Sequence, residues 1–247
     1  MKNLKTTALI PARYASTRLP AKLVQDLAGK SVIQQTYLSA KKTALFDQII
    51  VATDHEEIAE QIKAIGGEVF MSQESHESGS DRIAEAARHI DTDIIVNIQG
   101  DEPLLDKDTL SRLIQAFEEE GVQMASVMFK IPAWEAENPN AVKVVVDENL
   151  NALYFSRHAI PFNREKEVEL SYWKHVGIYA YQKDLLMQFT KWPKSALEQA
   201  EMLEQLRVLE HGVKIKMVAT THQAIAIDTA EDLINARERF GKNNKEN

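Results

Sequence analysis

"QIIVATDHEEIAEQIKAIGGEVFM", residues 48–71, decides the fold. A β-branched run ends in a polar pair at 53–54, and an amphipathic helical stretch over 56–67 stops at Gly66–Gly67. A short apolar strand follows at 68–71. Strand, helix, strand in this order is the unit of a parallel sheet with helices packed on it. The same alternation extends outward. "TTALI" (6–10) and "DIIVNI" (93–98) read as strands, and 31–43, 81–90 and 108–121 as helices. Ligands in such sheets bind beyond the carboxyl ends of the strands.

Beyond residue 130 the pattern changes. Residues 142–157 read as two strands around a turn at Asp147–Asn151, and 172–182 as one long strand. A helix over 196–212, a strand over 213–220 and a helix over 228–240 follow, with Asp228 or Thr229 near the last N-cap. Residues 241–247 read as a frayed tail. No Pro/Gly/Ser-rich linker or internal repeat divides the chain. The expectation is one α/β domain over 1–247, a mostly parallel sheet with helices on both faces and an antiparallel elaboration at about 130–182.

The 247 residues carry a net charge of −8, and there is no cysteine, which excludes disulfides, thiolate metal sites and a cysteine nucleophile. Neither a signal-peptide core nor a membrane-length apolar run is present, so a cytoplasmic protein without membrane attachment is expected. The acidic balance argues against general nucleic-acid binding. Yet the first 25 residues hold five cations and no acid. Arg13, Arg18 and Lys22 fall in "PARYASTRLPAK" (11–22), the loop after the first strand. Arginine offers planar donors to phosphate and lysine a mobile point charge. A solvated basic loop is the alternative reading. The loop is no P-loop, since it lacks G-x-x-x-x-G-K-[ST].

Two further strand ends carry acids. "NIQGDEP" (97–103) presents Asp101, with Glu102 next to it as a second candidate, and "IDTAED" (227–232) presents Asp228. Hard divalent cations take carboxylate oxygen and share substrate phosphates, whereas a turn or helix cap would use the same residues structurally.

Together "IPARYASTRLPAK", "VATDHEEI", "ESGSDRIAEA", "IVNIQGDEP", "NPNAVKVVVD", "ALYFSRHAIPF", "KHVGIYAY", "LEQLRVLEHG" and "IDTAEDL" resemble, in order and over nearly the whole chain, the 3-deoxy-manno-octulosonate (Kdo) cytidylyltransferase family. The resemblance implies a nucleotide-diphospho-sugar transferase-like (Rossmann-like) fold, a homodimer, and CTP-dependent activation of Kdo for lipopolysaccharide biosynthesis. It assigns Arg13, Arg18 and Lys22 to the triphosphate, and Ala12, Ser78, Gly79, Arg82 and Gln99 to the cytosine and ribose. It gives Asp101 and Asp228 to Mg²⁺, and Arg157, His175, Tyr179, Glu204 and Gln205 to the sugar acid. The expected reaction is in-line attack of the anomeric hydroxyl on the α-phosphorus, with pyrophosphate leaving. An 8-amino analogue of Kdo as acceptor, or a non-catalytic nucleotide-binding module, are the alternatives. The chain departs from the family pattern at Ala21 (usually Gly), Ser31 (usually Pro) and Ala230 (usually Pro), and its 164–172 segment is short. Ala21 is expected to keep an ordinary negative φ.

Overall fold

A computed structural model describes residues 4–16, 18–76, 78–165, 170–223 and 226–243. They group into two compact units, one of Lys2–Lys107 with Ala224–Asn247 and the other of Asp108–Gln223. The first unit opens with β1 (Thr6–Ala12), a small hairpin of β2 (Asp26–Leu27) and β3 (Lys30–Ser31), and α1 (Val32–Thr43). It continues through β4 (Gln48–Thr53), α2 (Glu56–Lys63), β5 (Glu68–Met71), α3 (Gly79–Ala87) and β6 (Ile94–Asn97). β1 pairs in parallel with both β4 and β6, and β4 with β5, so the order is β6-β1-β4-β5. Flanked on both sides, β1 is buried at every residue.

Local chemistry sets the element ends. Stretch 48–71 folds as the expected parallel strand–helix–strand. Its two glycines do different jobs: Gly66 takes φ 69°, and a Cβ on Gly67 would meet Ile62 Cγ2 at 2.6 Å. Ser31, where the family pattern has Pro, is the N-cap of α1. Its hydroxyl accepts from Gln34 N while the Gln34 side chain accepts from Ser31 N, a reciprocal capping box.

The second unit contains α4 (Lys107–Gln115), β7 (Met124–Ile131), α5 (Ala133–Ala136), β8 (Lys143–Val146), β9 (Ala152–Ser156) and β10 (Tyr172–Gln182). α6 (Lys183–Phe189), α7 (Ala196–Glu201), α8 (Gln205–Glu210) and β11 (Ile215–Thr220) complete it. β7 lies parallel to β11 and antiparallel to β10; β8 pairs antiparallel with β10 and β9. The chain then returns to the first unit with α9 (Ala230–Asn243).

Several expectations need correction. β7 was not among the expected strands: its run is buried on both faces except at Lys130, so it shows no alternation. The single helix expected over 196–212 breaks at Met202, which takes φ 53°. The break brings Glu198 of α7 against Arg207 of α8, whose Nε and Nη2 donate to the two carboxylate oxygens at 2.7 and 2.6 Å. The helix expected to 121 stops at Gln115 and passes into a 3-10 turn. Within the tail expected to fray, α9 runs on to Asn243, and 244–247 lie outside the described residues. Part of the short 164–172 segment, residues 166–169, does so as well.

Candidate active site

The carboxyl end of β1 feeds directly into the basic loop. Ala21 sits at φ 50°, ψ 35°, which overturns the expectation of a negative φ. This left-handed residue reverses the chain into a short 3-10 turn over Lys22–Val24, closed by Val24 N donating to Ala21 O at 3.0 Å. Glycine adopts that conformation freely; alanine does so at a cost of ~1–2 kcal/mol. The reversal places Lys22 at a junction of two acids.

Lys22 Nζ donates to Asp101 Oδ2 and, at 3.0 Å, to Asp228 Oδ1. Arg18 Nη2 lies 3.1 Å from Asp228 Oδ2. Burial by itself lowers the pKa of the Lys22 ammonium, but Asp101 and then Asp228 outweigh it and hold it above the ordinary lysine value. Lys22 is therefore charged. Beside it, Glu102 is buried, and desolvation followed by the Asp101 and Asp228 charges pushes its carboxyl up to about 8.

Asp101 owes its position to Gly100. A Cβ there would come within 3.1 Å of both Pro11 O and Ile33 Cδ1, and Thr36 Oγ1 donates to Gly100 O at 2.9 Å. Asp228 is free to point inward because Thr229 takes over the capping of α9. Thr229 Oγ1 accepts from Asp232 N at 3.2 Å, and the Asp232 carboxylate accepts from Thr229 N at 2.8 Å.

These groups wall a cavity of about 350 Å³. Arg13, Arg18, Lys22, Gly79, Gln99, Asp101 and Asp228 line it, together with Pro11, Ala15, Ser16, Leu23 and Gly100, which the sequence reading did not single out. Ala12, Ser78 and Arg82 stand outside its wall. Ala12 ends β1, fully buried. Ser78 caps α3 by accepting from Asp81 N at 3.1 Å. Arg82 is buried and donates from Nη2 to Asp54 at 2.7 Å, while its Nε and Nη1 have no partner among the described residues. Two buried, unmatched guanidinium donors are an invitation to an acceptor.

The five residues expected to meet the sugar acid lie in the other unit. Arg157 donates from Nε to Glu201 O at 2.7 Å and from Nη1 to Pro139 O at 3.0 Å, so backbone carbonyls already hold its guanidinium. His175 contacts Ser126 Oγ through Nε2 at 3.0 Å, and burial pushes its pKa down to about 3. Burial thus favours the neutral ring near pH 7, which suits hydrogen bonding better than an ion pair. The Tyr179 ring tilts against His175 at 5.2 Å. Glu204 lies 3.9 Å from Arg207. Gln205 is 4% exposed, with Nε2 buried and unpartnered among the described residues. Lys143, also not foreseen, is wholly buried with Nζ donating to Asn138 O at 3.0 Å and Arg157 O at 2.5 Å. A lone lysine inside an otherwise apolar strand was its only sequence signal.

A family model described as Cytidylyltransferase matches residues 7–215. The 3-deoxy-manno-octulosonate cytidylyltransferase of Flavobacterium johnsoniae is 52% identical over 238 residues, covering 95% of this chain and 98% of that protein. This chain belongs to the 3-deoxy-manno-octulosonate cytidylyltransferase family. The protein of the same name from Christiangramia forsetii is 47% identical, covering 94% of this chain and 96% of its own. Among solved structures, CMP:2-keto-3-deoxy-manno-octonic acid synthetase complexed with CTP matches with a TM-score of 0.92 and 38% identity, over 97% of this chain and 99% of that one. The 4-diphosphocytidyl-2C-methyl-D-erythritol synthase of Anaerococcus prevotii shares the fold at 15% identity, with a TM-score of 0.65 over 96% and 99% of the two chains.

For a cytidylyltransferase the donor set at Asp101 and Asp228 bears on a divalent cation. Two carboxylates converge on a point that an ammonium now occupies, so the position already accommodates positive charge. No cluster of three or more His, Cys, Asp or Glu that could hold a metal occurs among the described residues. Two carboxylate oxygens, completed by phosphate and water, are the kind of set that Mg²⁺ accepts. The residues fit.

Proposed function

We propose that this chain transfers the cytidylyl group of CTP to the anomeric hydroxyl of Kdo, giving CMP-Kdo and pyrophosphate. The observation that carries the reading is Lys22 bridging Asp101 and Asp228 in a cavity whose wall also holds Arg13 and Arg18. Arg13 and Arg18 grip non-bridging phosphate oxygens, and Lys22 leaves the aspartates to follow the negative charge that gathers on the departing pyrophosphate. Arg82 offers its unmatched donors to acceptors on the nucleoside, with Gln99, Gly79, Ser78 and Ala12 around it. In the other unit, Arg157, Tyr179, Glu204, Gln205 and a neutral His175 orient the sugar acid. The nucleophile is the substrate's own hydroxyl, so the chemistry asks the protein for position and charge. Asp101 and Asp228 would hold Mg²⁺, which when bound neutralises charge at the α-phosphate.

Pyrophosphate release from CTP, measured with Kdo, 8-amino-Kdo and sialic acid in the presence and absence of Mg²⁺, tests this reading. Release with Kdo and Mg²⁺ is expected. CTP binding without release from any sugar would instead mark a binding module, and preference for the 8-amino sugar would reassign the acceptor. Asp101→Asn should lower turnover by at least ~100-fold, as removal of a transition-state charge contact does, with the protein still folded cooperatively; a near-normal rate would remove Asp101 from the reaction.

The same reading places the enzyme in the cytoplasm, in lipopolysaccharide biosynthesis, as a homodimer. Trp134, Leu153 and Phe162 of the antiparallel region are 77%, 62% and 84% exposed, which supports a covered face. Light scattering on the purified chain checks the dimer.

A further inference from the structure

This inference rests on the sugar-side reading above. The antiparallel register of β7 and β10 shifts between Val176 and Tyr179, a bulge in β10. Opposite it stands Ser126 of β7, fully buried. Its Oγ lies 2.9 Å from Ile178 O, 3.3 Å from Val176 O and 3.0 Å from His175 Nε2. A serine hydroxyl has one proton and two lone pairs, whereas a carbonyl oxygen only accepts. The bulge disturbs the ladder that would otherwise serve those carbonyls, so the proton goes to the nearer, Ile178 O. What Oγ turns toward the imidazole is a lone pair. The ring nitrogen opposite must then carry hydrogen.

We propose that Ser126 is a positioning residue that fixes His175 as the Nε2–H tautomer, leaving Nδ1 as an acceptor for a hydroxyl or ammonium group of the bound sugar rather than a partner for its carboxylate. Phe155, edge-on at 5.1 Å, and Tyr179 hold the ring plane. Ser126 is the one hydrogen-bond partner of the His175 side chain among the described residues, so Nδ1 remains available. The low pKa of the ring agrees, since a neutral imidazole has one acceptor nitrogen to offer.

The tautomer is read directly from a long-range ¹H–¹⁵N spectrum of histidine-labelled protein at neutral pH, without substrate. For His175 the expected pattern is a protonated Nε2 and a bare Nδ1; the reverse pattern overturns the proposal. Ser126→Ala should weaken that preference and raise KM for Kdo by about tenfold, one hydrogen bond's worth, with KM for CTP unchanged. Ser126→Thr, which keeps the hydroxyl, should restore both. An alanine variant with wild-type tautomer and wild-type KM for Kdo also overturns it. Because the spectrum is recorded without sugar, absence of Kdo turnover would remove the proposed substrate while leaving the tautomer result standing.

Discussion

Single residues carry two consequences. Ala21 holds a left-handed backbone that glycine would hold without strain. Ala21→Gly is expected to stabilise the protein by about 1 kcal/mol, less the extra freedom glycine gains when unfolded, and to raise the melting temperature by a few degrees. Urea unfolding of the two proteins checks the sign. His175 imposes a pH dependence. Its folded pKa of about 3 lies below the ordinary 6.5, so between these values the unfolded chain binds more protons. Stability should rise with pH across that window and be lost as acid is added, with a slope of at most ~1.4 kcal/mol per pH unit. In His175→Asn that part of the slope should vanish. The sequence picked out Arg13, Arg18, Lys22, Asp101 and Asp228, which share one cavity wall, from three cations without a nearby acid and from acids beside turn residues, although Asp228, expected at a strand end, lies well past the end of β11 at Thr220. It could not reveal φ at Ala21: a backbone angle depends on where the next residue must go, and Lys22 had to reach two acids remote in sequence.

At the level of elements, the start of α9 divides its labour. Thr229 caps the helix with Asp232, and Asp228 is thereby spared for the cavity. Thr229→Ala should cost ~1 kcal/mol, the usual worth of an N-cap, and should also raise KM for CTP by loosening the carboxylate that precedes it. Denaturant unfolding and initial rates report the two effects separately. Elements with strong local signals were legible, among them the strand–helix–strand of 48–71 and the long β10. β7 was not, because a strand buried on both faces has no alternation to betray it, and Ser126 went unnoticed with it. The break between α7 and α8 was equally silent. No glycine or proline marks it; the Glu198–Arg207 pair, formed only in the folded unit, does.

Across the whole molecule, the residues proposed to meet the nucleotide belong to one compact unit and those proposed to meet the sugar acid to the other. CTP alone should therefore slow hydrogen exchange mainly at 13–22, 99–102 and 226–232, with little change over 172–182. Mass spectrometry of deuterated peptides would show this, and uniform protection would contradict it. The parallel-sheet class was legible because alternation persists along the chain, whereas the division into units was not, since no linker composition accompanies it. One feature reaches further than its local geometry. Lys22, Arg18, Asp101 and Asp228 carry two positive and two negative charges, so the resting constellation sums to zero. A neutral cluster has little long-range attraction for stray phosphate or for a stray cation. Arg13, on the same wall, takes no part in that cancellation. Among the described residues an entering phosphate thus meets one uncommitted cation first, and the ion pairs act as a latch that its arrival has to loosen.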